Sequence, residues 1–282
     1  FQRPVERFQA YARGHYDLAD NHEMYAEFAF LNNSSDAQIA PSASFGFGAY
    51  EINCDNPLIQ PGAGGNTGIP LTDIFGCVPG EDGSIPETVS GVTASHRNVE
   101  GDPRNSNLDN TAWRVLGGFR GTVLEYFDYE VFGQFARTLE TDISQNDLIV
   151  ENVQNAFFVV EDENGNPICD PARNPGEDCV PYNIFQRGPN GETQVTQEAV
   201  DYVTGVGITT GETQQVVFGG DVTTDLGNFG IQSPLADGGV GLAAGFEYRQ
   251  DRLDAVPDEI SQVPGGGFTG VGGATLPVSG EI

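Results

Sequence analysis

The stretch Arg7-Phe8-Gln9-Ala10-Tyr11-Ala12-Arg13-Gly14-His15-Tyr16-Asp17-Leu18 alternates without a break. Phe8, Ala10, Ala12, Gly14, Tyr16 and Leu18 fall on one side, and Arg7, Gln9, Tyr11, Arg13, His15 and Asp17 on the other. A period of two held for that length is a β-strand with one apolar and one polar face. After Ala19-Asp20-Asn21-His22 the pattern resumes, with Met24, Ala26, Phe28 and Phe30 against Glu23, Tyr25 and Glu27. The two strands therefore read as a hairpin. A bilayer-crossing strand needs about 9–11 residues, whereas strands of soluble sheets usually have about 5–6, and this hairpin has the longer dimension.

Two more such units follow. In the second, Trp113, Val115, Gly117 and Phe119 alternate with Arg114, Leu116, Gly118 and Arg120, and after a turn Tyr129, Val131, Gly133 and Phe135 alternate with Glu130, Phe132, Gln134 and Ala136. In the third, Val216, Phe218, Gly220, Val222 and Val240, Leu242, Ala244, Phe246, Tyr248 oppose Gln215, Asp221, Thr223 and Glu247, Arg249, Asp251. The expectation is six antiparallel strands in hairpins over about 6–32, 108–141 and 212–254, with long connections at 33–107 and 142–211 and a loop-like tail at 255–282. A compact soluble sandwich, the other source of alternation, rarely leaves more than about 12–15 residues between strands. Short turns on one side and long loops on the other are the asymmetry of an outer-membrane β-barrel. Phe8, Tyr16, Trp113, Tyr129 and Tyr248 lie near strand ends, where an interfacial aromatic girdle would sit. Six strands cannot close, since the smallest membrane barrels have about 8 and an open edge in lipid leaves backbone groups unpaired. The stretch is thus expected to be an internal piece of a longer chain.

Composition narrows the function. Of 282 residues 38% are hydrophobic, and 41 acidic residues against 12 basic ones give a net charge of −29. A surface that negative argues against nucleic-acid binding. All twelve basic residues are arginine, which excludes phosphate-binding P-loops, Schiff-base lysines and Ser/Lys hydrolases. No apolar run is long enough for a membrane-crossing helix.

The four cysteines lie in the long connections, Cys54 and Cys77 in the first, Cys169 and Cys179 in the second. None has metal-ligand spacing; of three possible pairings, one bridge inside each connection is the simplest, and it implies an oxidising compartment. The first connection, with the glycine-rich stretch Pro61-Gly62-Ala63-Gly64-Gly65-Asn66, shows no period and is expected to be irregular. The second is expected to hold a short helix within 147–157, a hairpin over 158–168 turning at Glu163-Asn164-Gly165-Asn166, and a helix over 197–203 capped by Thr196.

Chemical motifs are weak. Asp162, Asn164, Asn166 and Asp170 match a calcium loop loosely but lack its closing bidentate Glu, so a plain Asn-Gly turn is the better reading. The glycines at 205, 207 and 211 and at 239, 241 and 245 miss the dinucleotide-binding spacing and serve strand packing instead. His15, His22 and His96 are scattered, and no nucleophile motif accompanies them. No catalytic residue, metal site or cofactor is expected. The charges Arg7, Arg13, Glu23, Glu27, Arg114, Arg120, Glu130, Glu247, Arg249 and Asp251 fall on the polar sides of the strands, which in a barrel would line the lumen. There they would pair with one another, hold a plug or meet a polar solute.

Three groups of residues carry a family resemblance. The first is Arg97-Asn98-Val99-Glu100-Gly101 through Arg104, with Asn110-Thr111-Ala112-Trp113-Arg114-Val115 and Gly118-Phe119-Arg120-Gly121. The second is Cys179-Val180-Pro181-Tyr182-Asn183-Ile184-Phe185, and the third is Gly245-Phe246-Glu247-Tyr248-Arg249 with Pro257-Asp258. Together they resemble the barrel of TonB-dependent outer-membrane receptors of Gram-negative bacteria. The resemblance implies a barrel of about 22 strands facing outer-membrane lipid and filled by a plug domain of the same parent chain. It implies uptake of an iron chelate, cobalamin or an oligosaccharide, driven by the TonB complex. The TonB box, the plug and a C-terminal strand ending in an aromatic residue have no counterpart in this stretch, so the stretch alone is expected neither to couple energy nor to transport. Tyr50, Phe75, Phe157, Phe158, Tyr182, Asn183 and Phe185 are the candidate solute contacts from the loops. A passive porin and a secreted, acidic, calcium-dependent adhesin are the alternatives.

Overall fold

The computed structural model describes residues 3–45, 50–62, 70–174, 178–235, 237–263, 267–269 and 275–282. In chain order the strands and helices are β1 (Val5–Ala19), β2 (His22–Gln38), β3 (Ala43–Phe45), β4 (Tyr50–Asn53), α1 (Leu71–Phe75), β5 (Thr88–Val92), β6 (Ser95–Arg97) and β7 (Asn105–Val123). They continue as β8 (Phe127–Leu148), α2 (Val150–Phe157), β9 (Val159–Glu161), β10 (Pro167–Cys169), α3 (Gln197–Val203), β11 (Thr204–Asp225), β12 (Gly241–Pro257) and β13 (Val278–Glu281).

One sheet dominates, with strand order β1-β2-β7-β8-β11-β12-β13. Every neighbouring pair is antiparallel, so the chain runs up and down through the sheet. The sheet is open: among the described residues nothing pairs with the free edge of β1, and β13 covers only Arg252–Ala255 of β12. Six strands were expected, and β13 corrects that number. Its four residues, Val278-Ser279-Gly280-Glu281, are too few to show a period, so their segment reads as loop from sequence. Among the described residues no helix is long and apolar enough to cross a membrane, which leaves strands out of account.

The six long strands run from 15 to 22 residues, and they outlast the alternating stretches. β2 continues to Gln38, β7 begins at Asn105, β8 reaches Leu148 and β11 begins at Thr204. The β2 and β7 extensions are missed in the sequence because both of their faces are mostly polar, and those of β8 and β11 because Ile143, Val206 and Ile208 are too few to set a period. Asn32-Asn33-Ser34-Ser35-Asp36 pairs with Thr111 through Asn107 without any hydrophobic rhythm.

Register makes the faces continuous, because residues directly opposed on neighbouring strands point to the same side. One row runs Ala12, Phe28, Val115, Phe135, Val216, and another Tyr16, Met24, Phe119, Val131, Gly220, Phe246. Phe8 packs on Phe30 at 6.0 Å and Trp113 on Phe135 at 5.2 Å between ring centres. The apolar face is nevertheless left open: Phe8 is 62% exposed and Phe246 57%.

At one end the connections are short. β1 and β2 join through Asp20-Asn21, and β7 and β8 through Leu124-Glu125-Tyr126. Leu124 and Glu125 both take positive φ, 52° and 64°, a region that costs L-residues about 1–2 kcal/mol. Glu125→Gly is therefore expected to stabilise the hairpin by about 1 kcal/mol, read as a raised unfolding midpoint; an unchanged midpoint would mean the turn relaxes freely. The third connection, 226–240, matches the gap that the alternating stretches leave between Thr224 and Val240.

The chain's buried core lies at the opposite end, where the described residues of 39–104 and 149–203 fold together as a cap. The first connection is more ordered than expected: β3 pairs with β6 and β4 with β5, with α1 between β4 and β5 in the chain. Ala63 to Asn66 of its glycine-rich stretch lie outside the described residues. The second connection holds its expected elements. α2 occupies Val150–Phe157, β9 and β10 pair about a turn with Gly165 at φ 82°, and Thr196 caps α3 by accepting from the Ala199 amide at 3.2 Å. Cys54 is bonded to Cys77 and Cys169 to Cys179. Where the sheet meets the cap, Asn146 is the extra residue of a bulge between Gln145 and Asp147, with φ 62°. The bulge turns the chain inward to bury Leu148.

Candidate functional site

Two places collect polar and aromatic side chains: the polar face of the sheet and the interior of the cap. On the sheet, the register puts Arg7, Arg13, Glu23, Glu27, Arg114, Arg120, Glu130, Glu247, Arg249 and Asp251 on the face opposite the apolar rows. Glu27 lies between Arg13 at 3.6 Å and Arg114 at 3.3 Å, and Arg120 reaches Glu23 at 2.6 Å. Arg120 also sits 5.4 Å over the Tyr25 ring, whose hydroxyl donates to Glu130. Farther across, Gln134 donates to Gln215 at 2.8 Å, Gln215 donates to Asp251 at 2.9 Å, and Arg249 pairs with Glu247 at 3.3 Å. Arg7 donates to Asn33 at 3.2 Å. Glycines make room for the large rings on this face. A Cβ on Gly118 would stand 2.7 Å from the Tyr25 ring, and one on Gly219 would stand 3.0 Å from that of Phe132.

The cap treats the seven candidate solute contacts unequally. Tyr50, Phe157, Phe158 and Tyr182 are buried, so they form its interior rather than a surface open to a solute. Phe157 meets Tyr50 edge-on at 5.1 Å and stacks with Tyr182 at 6.3 Å. Phe75, Asn183 and Phe185 remain partly exposed, with Phe75 and Phe185 in contact at 5.8 Å. The sequence marks large aromatics in loops as available for contact, but two loops long enough to pack on each other bury them instead.

Asparagines hold the connections together, a role that sequence reasoning missed. Asn53 donates to the Val159 carbonyl at 2.7 Å and accepts from the Val159 amide at 3.2 Å; Asn56 donates to the Phe157 carbonyl at 2.9 Å. The Tyr182 hydroxyl donates to Asn98 at 2.9 Å. Burial raises the Tyr182 phenol, and the nearby Glu100 and Tyr50 add to the rise. Arg137 was also missed: it grips Glu212 with two bonds of 2.8 and 2.7 Å in the row of Trp113, where the apolar face gives way to polar residues. A charged residue interrupting an apolar alternation was the available signal.

Neither the comparison with protein-family models nor that with curated proteins finds a match. The geometry of the chain itself therefore carries the functional argument. Among the described residues no group of three or more His, Cys, Asp or Glu side chains could hold a metal. Asp162 is engaged by its own turn, accepting from the Asn164 and Asn166 amides and the Asn166 side chain. The Asn166 side-chain bond leads these in lowering the Asp162 carboxyl to about 2.

Among the described residues two ionic contacts join the two connections, Arg173 with Glu87 at 2.6 Å and a cluster about Glu100. Glu100 is 3.0 Å from His96 and 3.9 Å from Arg187, and the His96 ring meets Tyr182 edge-on at 6.0 Å. Burial pushes the Glu100 carboxyl up, but bonds from Thr193, His96 and its own amide outweigh that and leave it below its ordinary 4.5. A folded-state value below the unfolded one gives stability in full above about pH 4.5, lost as the pH falls through the lowered value. The cap should accordingly become protease-sensitive on acidification below pH 4.5, and Glu100→Gln should flatten that dependence. An unchanged pH profile in Glu100→Gln would assign the acid sensitivity to another carboxylate.

Proposed function

We propose that this chain forms part of the barrel wall and the outer cap of a TonB-dependent receptor that takes up a scarce solute across the outer membrane of a Gram-negative bacterium. The observation that carries the reading is the sheet: six strands of 15 to 22 residues share a continuous apolar band on one face, bounded on the cap side by the row of Arg137, while the other face is laced with ion pairs. The eleven alternating residues from Phe8 to Leu18 make ten rises, about 33 Å along a strand. At a barrel tilt of about 40° that is close to the apolar band of about 25 Å of an outer-membrane barrel. Trp113 and Tyr248 then mark one edge of the band and Tyr16 and Tyr129 the other. Long connections at one end and two short turns at the other give the sidedness of the family that the sequence motifs resemble.

In this reading the paired charges line the lumen beside the plug, and the free edges of β1 and β12 are completed by further strands of the parent chain. The wall and cap contribute capture and passage without bond chemistry. Residues 39–104 and 149–203 carry 18 acidic residues and four arginines, so their field repels an anion approaching by charge alone and favours a neutral or cationic solute. Phe75, Asn183 and Phe185 are the loop residues placed to touch it.

The test is to recover the native polypeptide from cell envelopes, determine its mass and the sequence ahead of Phe1, and measure uptake with the TonB complex intact and deleted. Outer-membrane fractionation, a plug-sized domain upstream and TonB-dependent uptake support the reading. A plugless chain giving steady open-channel conductance would make it a porin, and a chain soluble without detergent would sink the membrane reading in favour of the adhesin.

A further inference from the structure

Residues 226–240, which connect β11 to β12 at the turn end, form a small folded knob. Leu226–Phe229 makes one 3-10 turn, capped by Asp225, whose carboxylate accepts from the Gly227 amide at 2.8 Å. The chain reverses at Gly230, with φ 77°, and closes through an Ile231 amide bond to the Leu226 carbonyl at 3.0 Å and a bridge between Gln232 and Gly239. Three contacts fix the knob and the end of β11 to the neighbouring turn and the start of β8. Thr224 donates to the Tyr126 carbonyl at 2.7 Å, and the Phe229 ring meets Tyr126 at 5.5 Å and Phe127 at 5.8 Å. Phe127 is paired with Val123 and shares the parity of Tyr129 and Val131, so it belongs to the apolar face. The knob is therefore held at the end of that face, and it is apolar outside: Leu235 is 96% exposed, Leu124 in the adjoining turn 78%, Ile231 52% and Phe229 51%. From Thr224 to Val240 there is no arginine, only Asp225 and Asp237.

We propose that this knob is a membrane-surface anchor, inserting Phe229, Ile231 and Leu235 into the hydrocarbon beneath the headgroups of the turn-side leaflet. The proposal rests on the reading of the sheet as a bilayer-spanning wall, because it is continuity with the apolar face that selects lipid as the partner. The absence of basic residues makes the insertion apolar rather than electrostatic, so anionic lipid and salt should matter little. The knob fixes the depth of the β11–β12 end in the bilayer.

A nitroxide placed through Leu235→Cys tests this in the full-length protein in phosphatidylcholine vesicles, because the four native cysteines are bonded in pairs and leave only the new thiol for labelling. Phe246→Cys on the apolar face and Asp82→Cys on the cap are the references. The label at 235 should relax severalfold faster with oxygen than with a water-soluble nickel chelate, as at 246 and opposite to 82, with no change on adding anionic lipid or salt. Chelate access at 235 with lipid access at 246 would overturn the anchor and leave the wall intact. Poor access to both agents at 235 would mean a protein partner, and would overturn it too. Chelate access at all three sites would remove the wall and the anchor together.

Discussion

Tyr182→Ala is expected to open the cap and leave the sheet paired. Tyr182 is 0% exposed, stacks with Phe157 and donates its hydroxyl to Asn98, which is itself buried. Removing a buried aromatic ring of this size costs about 3–5 kcal/mol. Here the loss falls where the first connection meets the second, since Asn98 belongs to one and Tyr182 to the other. The sheet shares none of these contacts and keeps its ladders. Limited proteolysis should cut the variant within 39–104 and 149–203 while strand-protected amides stay slow to exchange. Tyr182→Phe separates the ring from the hydroxyl: the ring is kept, and the buried Asn98 oxygen is left without its donor at about 1–3 kcal/mol. A cap as protease-resistant in Tyr182→Ala as in the parent would disprove its role as core. On the proposed receptor reading, solute affinity should also fall in Tyr182→Ala, as a result of cap opening; in Phe185→Ala, where the ring is partly exposed, a loss of affinity should come without loss of protease resistance.

The second large effect is expected on the apolar face. Val115 is 45% exposed, between Phe28 and Phe135 in the register, away from both rims. If lipid covers it, Val115→Arg should destabilise the protein in bilayers by about 2–4 kcal/mol, whereas Thr111→Arg, beyond the Trp113 row, should cost about 0–1 kcal/mol. If water covers it, both substitutions should fall within about 0.5 kcal/mol of the parent. Denaturant unfolding in vesicles reads the difference, and equal midpoints would remove lipid as the partner of this face.

What was legible in the sequence follows from where a period exists. Phe8 to Leu18 and Trp113 to Phe119 carry apolar side chains on one side and polar ones on the other, and that contrast writes a period of two into the chain. It was enough to anticipate the hairpins and to place the ten charges on one face. β2 beyond Leu31 and β7 before Ala112 are mostly polar on both faces, so their ends of the ladder left no trace. The cap was hardest to anticipate. Its interior depends on residues about a hundred positions apart, such as Asn53 with Val159 and Asn98 with Tyr182, and no local pattern in either connection reports the other. An aromatic such as Tyr182 looks the same in sequence whether it waits for a solute or fills a core, and only the partner connection decides. The capped helix at Gln197–Val203 was readable because Thr196 and Ala199 settle it within four residues.

The two disulfides have a consequence for the order of assembly. They close loops of 23 and 10 residues, each inside one connection, while the bonds that join the connections, such as Asn53 to Val159, bridge 106 residues. Loop closure grows more costly with length and non-local contacts form late. Each connection can thus be stapled on its own, before it meets the other. The cross-links then act as chaperones in miniature: they shrink the search each connection must make, so the halves of the cap meet already shaped. A reducing environment during biogenesis would do most of its harm there, delaying the union of the halves far more than it would loosen the cap once the halves have joined.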